Sequence, residues 1–356
     1  MTRSRRLPLA DTLDHQREAC TRAGSGLYAQ VLAGVAADVA AGGVCAGVLG
    51  PHADDPLATA LPLRFLGSVH RLVLDGWAPA LAAHYPSVGG TPGPGLVGDF
   101  LATVAELRPE VEERLGHTVQ TNEVGRSAVL VGGYAAVARR SGLPLRVLEV
   151  GASGGLNLRW DHYWYDTGET SLGDPASPVR FAGAWRAAAD GLPDLRGGAA
   201  VVERAGCDRN PLDVTTGEGR LTLRSYLWPD QVERRARLDG ACEVAARVPV
   251  RIDAGDLGVW VEERLAEPSP GAATVVVHSI VWQYAARESR DRLRTALRRA
   301  GERATPDAPV AWLRFEPAGP VGDLRLTWWP GGDEVVLATA EYHGVPVYWG
   351  AYAGAG

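Results

Sequence analysis

The chain has 356 residues, 46% of them hydrophobic, which is enough for about two domains or for one domain with a large extension. Its formal net charge of −6 at pH 7 argues against a nucleic-acid-binding surface, because such surfaces are strongly basic. All 36 basic side chains are arginine, so enzymes that need a Schiff-base lysine or a P-loop lysine are excluded.

The cysteines and histidines show no metal-ligand spacing. Four widely separated cysteines are typical of reduced thiols, and the eight histidines form no H-E-x-x-H motif, so we expect no bound metal. The N-terminal arginines have no apolar segment behind them, and no apolar run approaches the length of a membrane span. These features favour a cytoplasmic protein.

Residues 1–140 have the apolar spacing of helices, with hydrophobic positions at i, i+3, i+4 and i+7. A Gly/Pro-rich loop interrupts this pattern at residues 87–98. The pattern predicts helices over residues 27–41, 61–81, 100–115 and 121–139.

After residue 144, short apolar runs alternate with helical patterns, as in a parallel sheet covered by helices. Strands are predicted over residues 145–150, 200–207, 248–253, 274–278 and 310–315. The helices predicted between them span residues 230–246, 257–266 and 286–300. A Pro-Gly-Gly-Asp turn indicates a hairpin near the C-terminus, with strands over residues 324–329 and 335–342 and a last short strand over 345–349.

The most informative segment is VLEVGASGGLNL, residues 147–158. A buried strand containing Glu149 runs into the glycine turn Gly151–Gly155, and a helix is expected after it. Glycines allow the backbone to turn tightly and to approach a ligand closely. In α/β proteins ligands bind at the carboxyl ends of the strands, where this turn lies.

This segment resembles motif I of the class I S-adenosylmethionine-dependent methyltransferases, in which an acid precedes a glycine loop. The resemblance gives Glu149, Gly151 and Gly155 cofactor-binding roles. It extends to Ser153 as well, which stands where a middle glycine is usual and so departs from the pattern.

Later segments extend the resemblance over roughly residues 145–356. Asp208, in GCDRNP, corresponds to the acid that binds the ribose hydroxyls, and Asp256 follows the third strand like the acidic turn beside the adenine. His278 ends the fourth strand, where cofactor and substrate meet. With few histidines and no lysine available, His278 is also the predicted catalytic base, and the equal alternative is a buried histidine that bonds to its neighbours.

The resemblance implies a Rossmann-like, seven-stranded methyltransferase-type sheet with a helical N-terminal cap region. The predicted domains are residues 1–140, which form the helical cap and substrate region, and residues 141–356, which bind S-adenosyl-L-methionine. The span between Gly155 and Asp208 is longer than one helix needs, so residues 161–198 are predicted to be an insert.

The whole chain also resembles a bacterial family of unknown function, the domain-of-unknown-function family numbered 2332. The stretches that carry this resemblance include the N-terminal half. They are QTNEVGRSAVL (120–130), LEVGASGGLNL (148–158), CDRNPLD (207–213) and YLWPDQVERRARL (226–238). This resemblance implies a fold but brings no reaction.

The glycine turn allows a second interpretation. Residues 151–155 also match G-x-S-x-G, the nucleophile elbow of α/β-hydrolases, with Ser153 as nucleophile. Asp256 and either His278 or His343 follow in the required order. A hydrolase would have several strands before its elbow, however, and the residues before this turn are predicted to be helical.

Two further segments are candidates for the site. Arg126 is predicted to pair with the carboxylate of the cofactor's methionine moiety, and Asn122 and Glu123 to face the substrate, although the same segment can simply begin a helix. Trp282, Tyr284 and Glu316 are predicted substrate contacts near the ends of the fourth and fifth strands. The alternative for Glu316 is a salt bridge to an arginine.

Aromatic residues near these segments have two interpretations. The run WDHYWY (160–165) is either a packed insert or a wall beside the cofactor's sulfonium, and Trp228 either opens a helix or covers the adenine. The sequence therefore predicts an S-adenosylmethionine-dependent enzyme that methylates an O or N atom of a small molecule. The alternatives are a serine hydrolase and a non-catalytic binding protein, and a homodimer is compatible with each.

Overall fold

A computed structural model describes residues 8–186 and 191–350. The chain divides into two compact units, each built from two separate stretches of chain. The first unit comprises residues 1–121 and 217–236, and the second comprises residues 122–216 and 237–356. The predicted boundary near residue 140 differs from this division, because the helix that follows residue 126 packs on the sheet of the second unit.

The first unit is helical, and amphipathic helices enclose its core. Ser25 caps α2 by accepting a hydrogen bond from the Tyr28 N–H, and Asp230 accepts hydrogen bonds from the Ser25 hydroxyl and the Leu27 N–H. Its helices are α1 (Leu9–Arg22), α2 (Gly26–Ala40), α3 (Val44–Leu49), α4 (Leu61–Leu74), α5 (Pro79–Ala82), α6 (Leu96–Glu106), α7 (Arg108–Leu115) and, after the second unit's first stretch, α9 (Gly217–Ser225).

The second unit is mixed α/β. Its helices are α8 (Ser127–Ser141), α10 (Val232–Arg247, which begins in the first unit), α11 (Leu257–Arg264) and α12 (Arg287–Glu302). Its strands are β1 (Leu145–Val150), β2 (Trp164–Asp166), β3 (Ser171–Leu172), β4 (Arg180–Ala182), β5 (Trp185–Arg186), β6 (Val201–Asp208), β7 (Arg251–Ala254), β8 (Ala273–Ser279), β9 (Val310–Ala318), β10 (Val321–Trp329), β11 (Asp333–Ala340) and β12 (Val347–Trp349).

Among the described residues, the main sheet has nine strands in the order β5-β12-β11-β10-β9-β8-β1-β6-β7. Strands β7, β6, β1, β8 and β9 are parallel, whereas β9 to β12 form an antiparallel meander. The chain runs from β1 outward to β6 and β7 and then returns to β8 on the other side of β1. The strand order therefore reverses between β1 and β8, the kind of position where open α/β sheets bind ligands.

Helices cover both faces of this sheet. On β9, Leu313 lies against α8 at Gly133, and the neighbouring Trp312 packs with the buried side of α12. Successive side chains of a strand point to opposite faces, so α8 and α12 lie on opposite sides. This burial on both faces explains the continuous apolar run of β8, in which every residue is buried.

Three predictions about local structure are corrected. The sheet has nine strands where seven were predicted, because the C-terminal segments form a meander and β5 adds an edge to it. No α-helix follows the glycine turn directly, since Asn157–His162 is a 3-10 helix. The helix predicted over residues 100–115 is two helices, because Pro109 cannot continue the helical hydrogen bonding of α6.

The predicted insert, residues 161–198, contains β2, β3 and β4, which form a separate small sheet in the order β3-β2-β4. Residues 187–190 of the insert lie outside the described residues. In the part of the chain that the structure describes, no single helix is long and apolar enough to cross a membrane. Residues Gly26–Ala40 and Val44–His52 reach the length and apolar composition of a membrane span only when taken together, and the pair is bent by 84°.

Candidate functional site

The candidate site lies where β1, β6 and β8 end side by side. Glu149 of β1 is in register with Gly206 of β6 and with Val277 of β8. The glycine turn Gly151–Gly155 leaves β1 at this edge, and Asp208 ends β6 beside it. All of these residues belong to the second unit.

Glu149 is a buried carboxyl group. It is 3% exposed, and its Oε2 atom has no hydrogen-bond partner among the described residues. Burial raises its pKa from 4.5 to about 8; the positive charge of Arg126 opposes this rise, and the negative charge of Asp208 adds to it. Glu149 is therefore largely uncharged at neutral pH and would gain a strong interaction from a cation placed against it.

Asp208 ties the end of β6 to the glycine turn. Its carboxylate accepts hydrogen bonds from the backbone N–H of Ser153 (2.9 Å) and from that of Asn210 (2.9 Å). An ionised carboxylate offers about four lone-pair positions, so two hydrogen bonds leave capacity for two more donors. The arrangement suits a neighbouring pair of hydroxyl groups.

The glycines of the turn make room for side chains of the same unit. A Cβ atom at Gly151 would lie 2.3 Å from Val281, one at Gly154 2.2 Å from Val214, and one at Gly155 2.7 Å from Ile252. Gly151 and Gly155 also have φ values of +68° and +67°, which favour glycine. Packing and positive φ values thus account for these glycines. The sequence predicted a tight turn here and also a close approach of the backbone to a ligand.

Arg159 bonds to the backbone of the glycine turn, a contact that was not predicted from the sequence. Its guanidinium donates hydrogen bonds to the backbone oxygens of Gly154 (3.1 Å), Gly155 (2.8 Å) and Val248 (2.8 Å). The side chain is 3% exposed, and burial lowers its pKa. The signal available in the sequence was an arginine between two apolar residues, Leu158 and Trp160.

The segment before α8 also reaches the site. Asn122 accepts a hydrogen bond from the Leu156 N–H (2.8 Å), and Glu123 accepts one from the Gly125 N–H (3.0 Å). Arg126 donates hydrogen bonds to the backbone oxygens of Ser279 (2.9 Å) and Tyr342 (3.1 Å). These three predicted ligand-binding residues are therefore brought to the site, where they bond to its backbone.

His278 is fully buried at the end of β8. Its Nδ1 atom lies 2.6 Å from a Glu316 oxygen, and its Nε2 atom lies 3.0 Å from the Trp312 indole nitrogen. An indole N–H can only donate, so Nε2 is the acceptor and Nδ1 carries the proton that is donated to Glu316. Both ring nitrogens are engaged, which argues against the predicted role of His278 as a catalytic base.

Glu316 holds the loop that follows β8. Besides His278, its carboxylate accepts hydrogen bonds from the backbone N–H of Val281 (3.0 Å) and of Trp282 (3.3 Å). The Trp282 ring stacks on His278, and Tyr284 further along the loop is 45% exposed. Of the three predicted substrate contacts, Glu316 thus has a supporting place, while Trp282 and Tyr284 are partly open to solvent.

Asp256 caps α11. Its side chain accepts hydrogen bonds from the backbone N–H of Gly258 and Val259 and from the Ser289 hydroxyl. The His278 ring contacts Glu316 and Trp312, and so bonds to neither Asp256 nor Ser153. The predicted hydrolase triad that uses His278 is therefore not assembled in this structure.

Of the two interpretations of the aromatic run at residues 160–165, the burial of its side chains favours the packed insert. Trp160, Tyr163 and Tyr165 are fully buried, and Trp160 stacks on Tyr134 with ring centroids 4.4 Å apart. Trp228 lies in the core of the first unit, with its ring centroid 6.4 Å from that of Tyr28.

Among residues 8–186 and 191–350, no group of three or more His, Cys, Asp or Glu side chains could hold a metal ion. The four cysteines lie buried as thiols. Burial raises the pKa of the Cys207 thiol beside the site to about 12, so this thiol stays protonated at neutral pH.

A family model, described as an uncharacterized protein conserved in bacteria (DUF2332), matches residues 10–349. The chain belongs to the DUF2332 family. The match spans both units, so the DUF2332 assignment covers the helical unit as well as the sheet. No curated protein and no solved structure matches the chain.

Proposed function

We propose that this protein is an S-adenosylmethionine-dependent transferase that methylates an O or N atom of a small molecule. The observation that carries the proposal is the pair of carboxyl groups, Glu149 and Asp208, at the carboxyl ends of β1 and β6. The five parallel strands have the order β7-β6-β1-β8-β9. We take this order, with its reversal beside β1, as a Rossmann-like sheet.

The two carboxyl groups suit two parts of this cofactor. The buried Oε2 atom of Glu149 suits the cofactor's ammonium group, because a bound cation would stabilise the ionised carboxylate. The remaining lone pairs of Asp208 suit the two ribose hydroxyls. Arg126 lowers the pKa of Glu149 and thereby favours the same ionised form.

When bound, the cofactor supplies an electrophilic methyl group on a sulfonium. The protein's contribution is then to hold the acceptor in line with that group and to exclude water. The hydrogen bonds of His278 to Glu316 and Trp312 hold it in place, so it acts as a positioning residue in this proposal. An acceptor that is already deprotonated, such as a carboxylate or a neutral amine, would need no base to activate it.

The test is calorimetric titration of the purified protein with S-adenosylhomocysteine. Glu149→Gln and Asp208→Asn should each weaken binding about tenfold or more, because each removes a charge-assisted hydrogen bond. Glu203→Gln is the matched control, because Glu203 lies on β6 and its carboxylate pairs with Arg146. No binding to the unaltered protein at millimolar ligand would refute the proposal.

One observation favours the hydrolase alternative. Ser153 has a φ of 52°, and a nucleophile elbow also holds its serine in a strained conformation. Hydrolysis of an activated ester that Ser153→Ala abolishes would establish this alternative. Cofactor binding without methyl transfer to any acceptor would instead indicate the non-catalytic binding protein.

A further inference from the structure

The loop after β8 and the first turns of α12 form a positively charged surface on an acidic protein. From Arg287 to Arg294 the chain carries four arginines and two acids, whereas its overall net charge is −6. The loop begins at the candidate site, because Val281 is the residue that packs against Gly151. An anionic ligand would therefore be attracted to this segment, which adjoins the strand ends where Glu149 lies.

Trp282 organises two of these arginines. The guanidinium carbon of Arg294 lies 4.9 Å from the centroid of the indole, and that of Arg290 lies 6.0 Å from it. His278 stacks on the same ring at 5.1 Å with an interplanar angle of 10°, and Glu316 fixes both His278 and the loop. The indole is thus a rigid platform for the two cations.

Arg290 differs from its neighbours on α12. Its Nε atom is buried without a hydrogen-bond partner, and among the described residues no carboxylate lies within ion-pair distance of its guanidinium. Arg292 pairs with Glu262 at 3.3 Å, and Arg298 pairs with Glu302 at 2.7 Å. Arg294 also has a carboxylate partner, Asp291, at 3.3 Å. This buried N–H carries a desolvation cost. An anionic ligand bound at the terminal N–H groups of the same guanidinium would offset part of the cost of holding the cation there.

We propose that Arg290 and Arg294, held on the indole of Trp282, bind the carboxylate or phosphate group of a small anionic ligand. A guanidinium above an aromatic ring keeps its N–H groups directed outward in a plane, and this planar fork matches the two oxygens of a carboxylate or phosphate. The anion site stands without the transferase proposal. Its assignment as the anchor of the methyl acceptor rests on that proposal.

The test is calorimetric titration at low salt with two probes, inorganic phosphate and succinate, because salt screens such contacts. We expect at least one probe to bind. Arg290→Gln should weaken that binding about tenfold or more, because it removes a charged hydrogen-bond donor. Arg298→Gln makes the same charge change on the same helix and should leave the affinity unchanged. Circular dichroism verifies that each variant is folded.

Two results would overturn the anion site: neither probe binds the unaltered protein, or Arg298→Gln weakens binding as much as Arg290→Gln does. Titration of the same variants with S-adenosylhomocysteine separates the two proposals, and Arg290→Gln should retain that binding. Phosphate or succinate binding without S-adenosylhomocysteine binding supports the anion site and refutes the cofactor. The reverse result refutes the anion site alone.

Discussion

At the scale of single residues, the candidate site contains ionisable groups that are buried away from water. Glu149 is a carboxyl group without a partner for one oxygen, and Arg159 is a buried cation whose hydrogen bonds go to backbone oxygens. The pKa of the acid is raised and that of the base is lowered for the same reason, since burial disfavours the charged form of each.

Glu149 predicts a pH dependence of stability. The folded protein keeps this proton up to a pKa of about 8, whereas the unfolded chain loses it near 4.5. The folded state therefore binds more protons between these values, and the contribution of Glu149 to the free energy of unfolding falls by about 1.4 kcal/mol for each pH unit. Urea unfolding across this range should show the decline in the unaltered protein.

Glu149→Gln should remove this component of the pH dependence, because glutamine stays neutral throughout. Glu203→Gln, at the partly exposed ion pair with Arg146, serves as the control and should keep it. An unchanged pH dependence in Glu149→Gln would show that the buried carboxyl is not the group that titrates.

At the scale of elements, the glycine turn is a packing junction between consecutive strands. Val281 after β8, Val214 after β6 and Ile252 of β7 each fill the space beside one of its glycines. The turn therefore holds three neighbouring strand ends together. The need for glycine at each of these positions is set by side chains that lie about 60 to 130 residues further along the chain.

This packing predicts different rescue at two glycines. Gly154→Ala should destabilise the protein by about 1–3 kcal/mol through overpacking, because the new Cβ would lie 2.2 Å from a methyl carbon of Val214. Val214→Ala should restore most of the loss, because it removes that methyl carbon and leaves the Val214 Cβ at an ordinary contact distance of 3.5 Å from the new Cβ. Val281→Ala should rescue Gly151→Ala less. The φ of +68° at residue 151 stays unfavourable for alanine, and the Val281 Cβ would still lie only 3.2 Å from the new Cβ. Equal rescue in the two double-mutant cycles, measured by urea unfolding, would contradict this account.

At the scale of the whole molecule, the chain leaves its first unit and later returns to it. Residues 217–236 complete the helical unit: Trp228 lies in its core, and Asp230 accepts hydrogen bonds at the start of α2. On α9, Glu218 pairs with Arg71 of α4. The helical unit is therefore not a continuous N-terminal domain.

This organisation predicts that residues 1–121 expressed alone will lack a cooperative thermal transition, because the core then lacks Trp228 and the polar contacts of Asp230. Adding a peptide of residues 217–236 should increase the helical signal in circular dichroism. A peptide with Asp230→Ala and Trp228→Ala is the matched control and should give a smaller increase. A fragment 1–121 that unfolds cooperatively by itself would contradict the expectation.

The sequence by itself determined most of the local elements and indicated the position of the candidate site. The periodicity of apolar residues predicted β1 over residues 145–150 as observed, and β6, β8 and α12 to within a few residues, because such patterns report burial along one element. It also indicated Glu149, the glycine turn and Asp208 at one edge of the sheet, since strand ends followed by turns are local features.

Only the tertiary structure decided what each side chain contacts. His278 was a predicted base until Glu316 and Trp312, more than thirty residues away in the chain, were found at its two nitrogens. Asp256 was found to cap a helix, and Arg290 was found beside the indole of Trp282. The hydrogen bonds and burial that set a group's charge state come from residues distant in sequence, and no local pattern contains them.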